Sequence, residues 1–300
     1  MDKFYRFLED RFRGTQESVR KRLEFYEPFI AAIAQNKSAD TIKAFDIGCG
    51  RGEFISYLNE LGIQTCGCDS DNGMLEAAKQ KGLNVVFGDA ISAISELEDE
   101  SMDIISSFHV VEHLPFDALL ELFKQSYRVL KPNGIIIFET PNCENIAVAT
   151  HYFWLDYTHN EPLPSELLEV IAEFIGFEKR KIMFLNSWGK VDNPFLYPIY
   201  GASADYTLLA QKKDNGILNE LFSKQYGITL QEASEKTWLY YKNLQLQLEE
   251  NKKEIEHLKH ELSELNQNFY TLKDRLSVAE KTSVLIKNIK RFFINKPAQK

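Results

Sequence analysis

Between Ile42 and about Ala210, short apolar runs alternate with stretches whose apolar residues recur every three or four positions. The short runs predict strands at Ile42 to Asp46, Gln64 to Asp69, Asn84 to Phe87, Met102 to Ser107, Gly134 to Glu139, Lys179 to Leu185 and Asp205 to Ala210. The periodic stretches predict helices around Glu53 to Leu61, Asn72 to Lys81, Phe116 to Leu130 and Ser165 to Ile175, several of them stopped by glycine. This alternation is the rhythm of a doubly wound α/β domain, a mostly parallel seven-stranded sheet covered on both faces. No helical pattern separates the last two strands, which therefore suit an antiparallel pair at one edge.

The flanks follow other rules. Residues 1–35 place Phe4, Phe7, Leu8, Phe12, Val19, Leu23, Phe29 and Ile30 at helical spacings, a helical segment that either lids a site or pads the sheet. Residues 36–211 form the α/β domain, and 212–240 read as a polar connector. From 241 to 280 the spacing alternates between three and four, through Tyr241, Leu244, Leu248, Asn251, Ile255, Leu258, Leu262, Leu265, Phe269, Leu272, Leu276 and Ala279. That is a coiled-coil seam, roughly 60 Å long at ~1.5 Å per residue. So narrow a stripe buries little on a lone helix, so self-association through the coiled coil is expected, with Asn251 as a register-fixing core residue or a tolerated defect.

Charge changes the picture at the far end. The formal net charge is −9, yet the last twenty residues hold Lys281, Lys287, Lys290, Arg291, Lys296 and Lys300 and no acid, so the rest of the chain carries −15. An acidic body speaks against nucleic acid as a ligand. The segment 281–300, with Leu285, Ile286, Ile289, Phe292 and Phe293 on one helical face, reads as a basic amphipathic tail for an anionic membrane surface. Four cysteines, Cys49, Cys66, Cys68 and Cys143, lack the spacing of a zinc ribbon and read as reduced core thiols. With no apolar leader and no long apolar run, the chain is expected in the cytoplasm, peripheral on the inner face of a membrane.

The strand ending at Asp46 runs into Gly48-Cys49-Gly50-Arg51-Gly52 and then a helix from Glu53. Glycines let a backbone approach a nucleotide-like ligand, and a helix N-terminus adds partial positive charge. Dinucleotide folds space their glycines to seat a pyrophosphate, whereas here the third glycine is early and an acid opens the helix. Asp69 and Asp89 close later strands, where most aspartates merely cap a turn or helix. The D-x-G-x-G-x-G pattern resembles the first motif of the class I S-adenosylmethionine-dependent methyltransferases, whose domain is Rossmann-like. The resemblance implies S-adenosyl-L-methionine as cofactor, held by Asp46, Gly48 and Gly50. It further assigns Asp69 to the ribose, Ser70 to the cofactor site beside it, Met74, Asp89 and Ala90 to the adenine, and Phe108 and His109 to the facing wall. Tyr5, Arg6 and Arg22 are candidates to close over the cofactor from the N-terminal segment.

Across residues 1–210, the segments FYRFLEDRFRG, DIGCGRGEF, SFHVVEHLPFDALL, LKPNG, ETPNCEN and FWLDYTHNEPLP resemble more closely the methyltransferase domain of bacterial O-antigen chain terminators. In that family a kinase follows, then a coiled coil and a basic membrane anchor; here there is no room for the kinase. Tyr157, Asn160 and Glu161 depart from the Pro, Arg and Asn expected in the acceptor loop, so the substrate need not be shared. Methyl transfer to a hydroxyl needs alignment and removal of a proton. Catalytic candidates are therefore His109, Glu112 and His113 after the fourth strand, and Asp156 and His159 on the later loop. His109, Glu112 and His113 also stand where quinone-biosynthetic methyltransferases keep a carboxylate-rich metal site, but two imidazoles with one carboxylate suit magnesium poorly, and no metal is expected. The expected function is O-methylation of a sugar hydroxyl at the end of a surface polysaccharide, with a glycan or glycolipid acceptor. Its competitors are a quinone or small-molecule O-methyltransferase, and a cofactor-binding coiled-coil scaffold without turnover.

Overall fold

The computed structural model describes Phe4, Phe7, Arg11 and residues 14–35, 37–187 and 191–294, with side chains to Arg291. Two compact units divide at Thr237 and Trp238.

In the first unit, strands β1 (Lys43–Ile47), β2 (Gln64–Asp69), β3 (Asn84–Phe87), β4 (Met102–Phe108), β5 (Leu130–Pro141), β6 (Lys179–Leu185) and β7 (Asp205–Gln211) form one sheet in the order β3-β2-β1-β4-β5-β7-β6. All pairs are parallel except those of β7, which runs antiparallel to β5 and to β6. The expected antiparallel pair is thus present, with β7 inserted between β5 and β6. Crossovers are made by α3 (Glu53–Glu60), α4 (Asn72–Gln80), α5 (Ala90–Ser95), α6 (Phe116–Val129) and α7 (Ser165–Ile175), which follow α1 (Gln16–Leu23) and α2 (Glu27–Ala34).

Alternation along the strands sorts the core into two layers. Phe45, Ile47, Ile105, Ile136, Phe138 and Leu208 face one side with Leu119, Leu122 and Phe123 of α6. Ala44, Ile104, Ile135, Ile137 and Leu209 face the other, under Val19 and Leu23 of α1, Phe29 and Ile33 of α2, and Phe54 and Leu58 of α3. Residues 16–34 of the N-terminal segment therefore pad the sheet, while Val19, Arg22 and Leu23 also line the cavity and the ring of Phe4 lies 5.9 Å from that of Tyr157, another cavity residue. The stretch expected to be a polar connector is partly core as well. Leu218 is fully buried, and Ile217, Leu221, Phe222 and Tyr226 pack on the second layer. Helix begins again at Leu230 and not at Tyr241, because Thr229 caps it: Glu232 N–H donates to Thr229 Oγ1, and Thr229 N–H donates back to Glu232 Oε2, a capping box.

Asp103 ties the start of β4 to its neighbours. Only 1% exposed, it accepts hydrogen bonds from the ammonium groups of Lys37 and Lys131 and from the backbone N–H of Lys43. Burial alone would raise its pKa, but Lys131 and Lys37 outweigh that and hold it below the usual carboxylate range. Asp103→Asn should cost about 2–3 kcal/mol at pH 7, the scale of a lost charged hydrogen bond. Because the folded pKa is depressed, this stabilisation is complete above the ordinary value of about 3.9 and lost as pH falls through the depressed one. Urea melts at pH 7 and pH 3 should therefore show the variant's deficit shrinking in acid; a deficit independent of pH would refute this account.

The second unit is the remainder of the helix Leu230–Ile294, consistent with a coiled-coil extension. Its seam residues stand open to solvent in the single chain, among them Leu248, Ile255, Leu258, Leu262, Leu265, Phe269, Leu272 and Leu276. No helix among the described residues is long and apolar enough to cross a membrane.

Candidate functional site

The carboxyl ends of the parallel strands, with the first residue of antiparallel β7, surround a cavity of about 1400 Å³. Ligand sites of open α/β sheets lie at this edge. The loop after β1 is shaped for close approach: Gly48, Gly50 and Gly52 have φ of 65°, 53° and 75°, a left-handed region that favours glycine. A Cβ at Gly48 would stand 2.2 Å from Val110 Cγ2, so the backbone must be bare where it borders the cavity. Cys49 N–H donates to Cys68 O (2.8 Å) and Gly50 N–H to Asp69 Oδ2 (2.8 Å), which fastens this loop to the end of β2.

Asp69 Oδ1 accepts from Asp71 N–H at 2.7 Å, so the turn-capping reading of this residue holds. Each carboxylate oxygen nevertheless keeps further acceptor capacity toward two adjacent hydroxyls. Asp89 is likewise a cap: its Oδ1 accepts from Ile91 N–H and Ser92 N–H, and the Ser92 hydrogen bonds hold its pKa below the usual range. Met74 and Phe87 provide apolar walls beside Asp89 and Ala90. Around the loop stand Asp46, Glu53, Asp69, Asp71 and Asp89. Glu53 is paired with Arg51 Nε at 2.8 Å, and Asp46 accepts from Ser106 Oγ at 2.6 Å. So acidic a rim repels a pyrophosphate and suits a nucleoside carrying a cationic sulfonium. The residues present therefore fit S-adenosylmethionine: Asp69 would hold the ribose with Ser70 beside it, Met74, Asp89 and Ala90 would border the base, and Gly48, Gly50 and Arg22 would lie toward the aminoacyl end.

At the end of β4, His109 adopts φ 55° while its N–H donates to Glu139 O at 2.9 Å. Its imidazole lies among three carboxylates, with Nδ1 3.4 Å from Glu112 Oε1 and Nε2 3.6 Å from Glu139 Oε1 and 4.0 Å from Asp205 Oδ1. Desolvation would lower the pKa of His109, but these carboxylates raise it well above the ordinary value. The three carboxylates thus favour the protonated form of a ring that faces the cavity. Asp205 is pushed up to about 6, chiefly by burial and against the pull of His109. His159 moves the other way, lowered by its burial.

All the predicted site residues that are described line this cavity, with one exception: Arg22, Asp46, Gly48, Gly50, Asp69, Ser70, Met74, Asp89, Ala90, Phe108, His109, His113, Asp156 and His159 do so. The exception is Glu112. It is 1% exposed and lies behind the wall, its Oε2 accepting from Thr140 Oγ1 at 2.9 Å, so it acts on the site only through its neighbours. Its burial follows from the helical turn Val111–His113, which turns it inward beneath His113. Tyr5 and Arg6 lie outside the described residues. Among the cavity residues that escaped the sequence reading are Glu139, Asp205 and Asn186, whose Nδ2 donates to Asp205 Oδ2 at 2.7 Å. The signal available for Glu139 was its place at a strand's carboxyl end; Asp205 reaches this edge only because β7 is antiparallel.

Comparison with known proteins agrees with this geometry. The family profile described as "Methyltransferase domain" matches residues 45–138. A crystal structure of an S-adenosylmethionine-dependent methyltransferase from Archaeoglobus fulgidus is 31% identical, with 70% of this chain and 100% of that one aligned at a TM-score of 0.61. Among curated proteins, a ubiquinone biosynthesis O-methyltransferase of Burkholderia vietnamiensis is 32% identical over 105 residues, covering 33% of this chain and 44% of its own length. An uncharacterized methyltransferase of Oceanobacillus iheyensis is 27% identical over 132 residues, covering 43% of this chain and 60% of its own. The chain spans about half the length of the curated relatives it matches. A bare glycine loop over an acidic, sulfonium-compatible rim, and 31% identity across the whole of a solved member's chain, place this chain in the class I S-adenosylmethionine-dependent methyltransferase family.

Proposed function

We propose that this chain methylates a hydroxyl oxygen, that of a sugar at the end of a surface polysaccharide or its glycolipid precursor. The carrying observation is that one cavity joins the glycine loop to a second set of polar and aromatic groups, His113, Tyr152, Asp156, Tyr157 and His159. When bound, S-adenosylmethionine supplies a methyl carbon already activated by its sulfonium. What remains for the chain is to align the acceptor and take up its proton. Histidines and a carboxylate beside tyrosines suit a sugar, whose hydroxyls need acceptors and whose ring faces lie against aromatic ones. The likeness of the HVVEH segment to O-antigen chain terminators favours a glycan acceptor, while Tyr157, Asn160 and Glu161 in the later loop allow it to differ from theirs. Self-association through 241–280, and attachment to an anionic membrane surface through 281–300, would keep the site near lipid-linked glycans. The open Leu285, Ile286 and Ile289 beside Lys281, Lys287, Lys290 and Arg291 favour the second of these.

A quinone O-methyltransferase is the second reading, favoured by the relative named for ubiquinone biosynthesis. The two separate in one experiment: methyl-labelled S-adenosylmethionine, the full chain, and extracted glycolipids or hydroxylated quinone precursors in parallel. Label in the glycolipid fraction is the expected result. Label only in the quinone precursors would replace the first reading with the second, and label in neither would leave a binding scaffold without turnover.

A further inference from the structure

The segment that leads away from β5 is wound more widely than an α-helix: Val148–Tyr152 is a π-helical turn, followed at once by the 3-10 turn Phe153–Leu155. Turns of this kind are rare and cluster at functional sites. This one is held from within the fold. Asn145, fully buried, accepts from Val148 N–H through Oδ1 and donates through Nδ2 to Ala202 O, and Val148 and Phe153 are themselves buried. From that base Tyr152, Trp154, Leu155 and Tyr157 stand open to solvent. Single exposed apolar residues are ordinary, but a cluster of large ones marks a contact.

Trp154 is the most exposed of the four, at 56%, yet its ring is fixed. The indole N–H donates to Ala149 O at 2.9 Å, and the ring packs edge to face with Phe153, centroids 5.2 Å apart. Its polar atom is therefore taken up within its own turn, and what it offers outward is an aromatic face. Phe153 and Leu155, its neighbours in the chain, line the cavity, whereas Trp154 does not. The indole thus stands outside the cavity wall, beside the half that holds His113, Tyr152, Asp156, Tyr157 and His159.

The surroundings decide what lies on that face. Among the rings come Asp156, Thr158, Asn160 and Glu161, so apolar and hydrogen-bonding side chains are interleaved. A prenyl tail is best served by a continuous apolar trench, and an anionic lipid surface would meet Asp156 and Glu161, charges of its own sign. A sugar ring is amphipathic in the matching way, with C–H faces for aromatic rings and hydroxyl edges for acceptors. The cavity of about 1400 Å³ also exceeds the ~300–1,000 Å³ that suits one drug-sized ligand. A terminal sugar can therefore sit inside with the cofactor, while the ring behind it passes over the rim.

We infer that Trp154, flanked by Tyr152 and Tyr157, is a second glycan subsite: it stacks the sugar ring next to the one that is methylated and makes the enzyme selective for chains over monosaccharides. The subsite rests on the sugar acceptor proposed above.

The test uses the full chain, labelled S-adenosylmethionine and two probes made from the same extracted glycolipids: the glycan freed from lipid by mild acid, and the monosaccharides of its complete hydrolysis. The native chain should use the freed glycan with a kcat/KM roughly tenfold or more above that for the monosaccharides, the worth of burying the open half of an indole. Trp154→Ala should raise KM for the freed glycan by the same factor and leave kcat, the monosaccharide rate and S-adenosylmethionine affinity unchanged, the pattern of lost uniform binding. Trp154→Phe keeps an aromatic face without the N–H and should retain most of the affinity. Equal use of both probes by the native chain, or an unchanged KM in Trp154→Ala, overturns the subsite. So does a Phe variant as weak as the Ala variant, because the indole would then be only a brace for its turn. Label in quinone precursors and in no glycan would sink the sugar acceptor itself. Calorimetry with the freed glycan then decides separately: binding that Trp154→Ala abolishes keeps the subsite, and no binding by the native chain removes it.

Discussion

Gly48→Ala should weaken S-adenosylmethionine binding by roughly 30- to 100-fold, the equivalent of about 2–3 kcal/mol. Two costs add. At φ 65° an alanine gives up about 1–2 kcal/mol of backbone energy, and its methyl group would lie 2.2 Å from Val110 Cγ2. Val110 is β-branched and stiff at χ1, so relief comes by moving the loop. That loop is what fastens to Asp69 through the Gly50 N–H, so its displacement reaches the ribose side as well. Gly82→Ala is the control. Its φ is 74°, but an added Cβ meets nothing within 4 Å, and the residue is exposed and does not line the cavity. It should lose about 1 kcal/mol of stability and keep full affinity. Calorimetry on both variants decides the matter: equal affinities for the cofactor would show that the bare backbone at Gly48 is not a binding feature.

How the loop could be found from sequence, while other parts of the site could not, has a physical explanation. Glycines in a turn and acids at strand ends are local chemistry, visible wherever strand and helix periodicities bracket them. Gln64–Asp69, Asn84–Phe87, Lys179–Leu185 and Ser165–Ile175 are found at their expected limits because each is bounded by turn residues or a helix stop. Strand β5 starts earlier than expected, at Leu130. Helix α6 runs straight into it, and Lys131-Pro132-Asn133-Gly134 reads as a turn although Leu130 pairs with Met102 ahead of a register shift. The connector was misread for a related reason. Ile217, Leu218, Leu221 and Phe222 span too few residues to establish a period, and only the sheet beneath them shows that they are core.

Within the site, what stayed hidden depends on topology and on depth. Glu139 and Asp205 approach His109 from β5 and β7, which are far apart in sequence and meet at one edge only through an antiparallel pairing. They bear on the chemistry, because carboxylates around a histidine that looks like a base by position favour its protonated form. Glu112 is the converse case. Its motif neighbours line the cavity while it sits beneath them, and no periodicity distinguishes a buried turn carboxylate from an exposed one.

Replacing Leu258 and Leu265 together by aspartate should abolish self-association of the full chain. Both occupy alternate seam positions and stand 54% and 66% exposed in the single chain. Each leucine buried by a partner contributes about 1.5–3 kcal/mol, so two positions in two copies amount to at least about 6 kcal/mol, or roughly 10⁴-fold in association. Charge along the seam argues for parallel, in-register copies. Glu254 and Arg275 precede core positions and would meet Lys259 and Glu280 of the second copy, each pair opposite in sign, and no like charges would face each other in that register. Asn251 would then meet its own counterpart and satisfy its amide there. Helicity should fall with association, because a long helix with a narrow apolar stripe draws its stability from its partner and not from its own propensity. Cofactor affinity should not change, since the first unit has its own core. Light scattering on the native chain and the double variant at micromolar concentration gives the answer: a multiple of 34.7 kDa falling to that mass supports the coiled coil, whereas the same mass for both chains would mean that the seam at 241–280 is not what joins them.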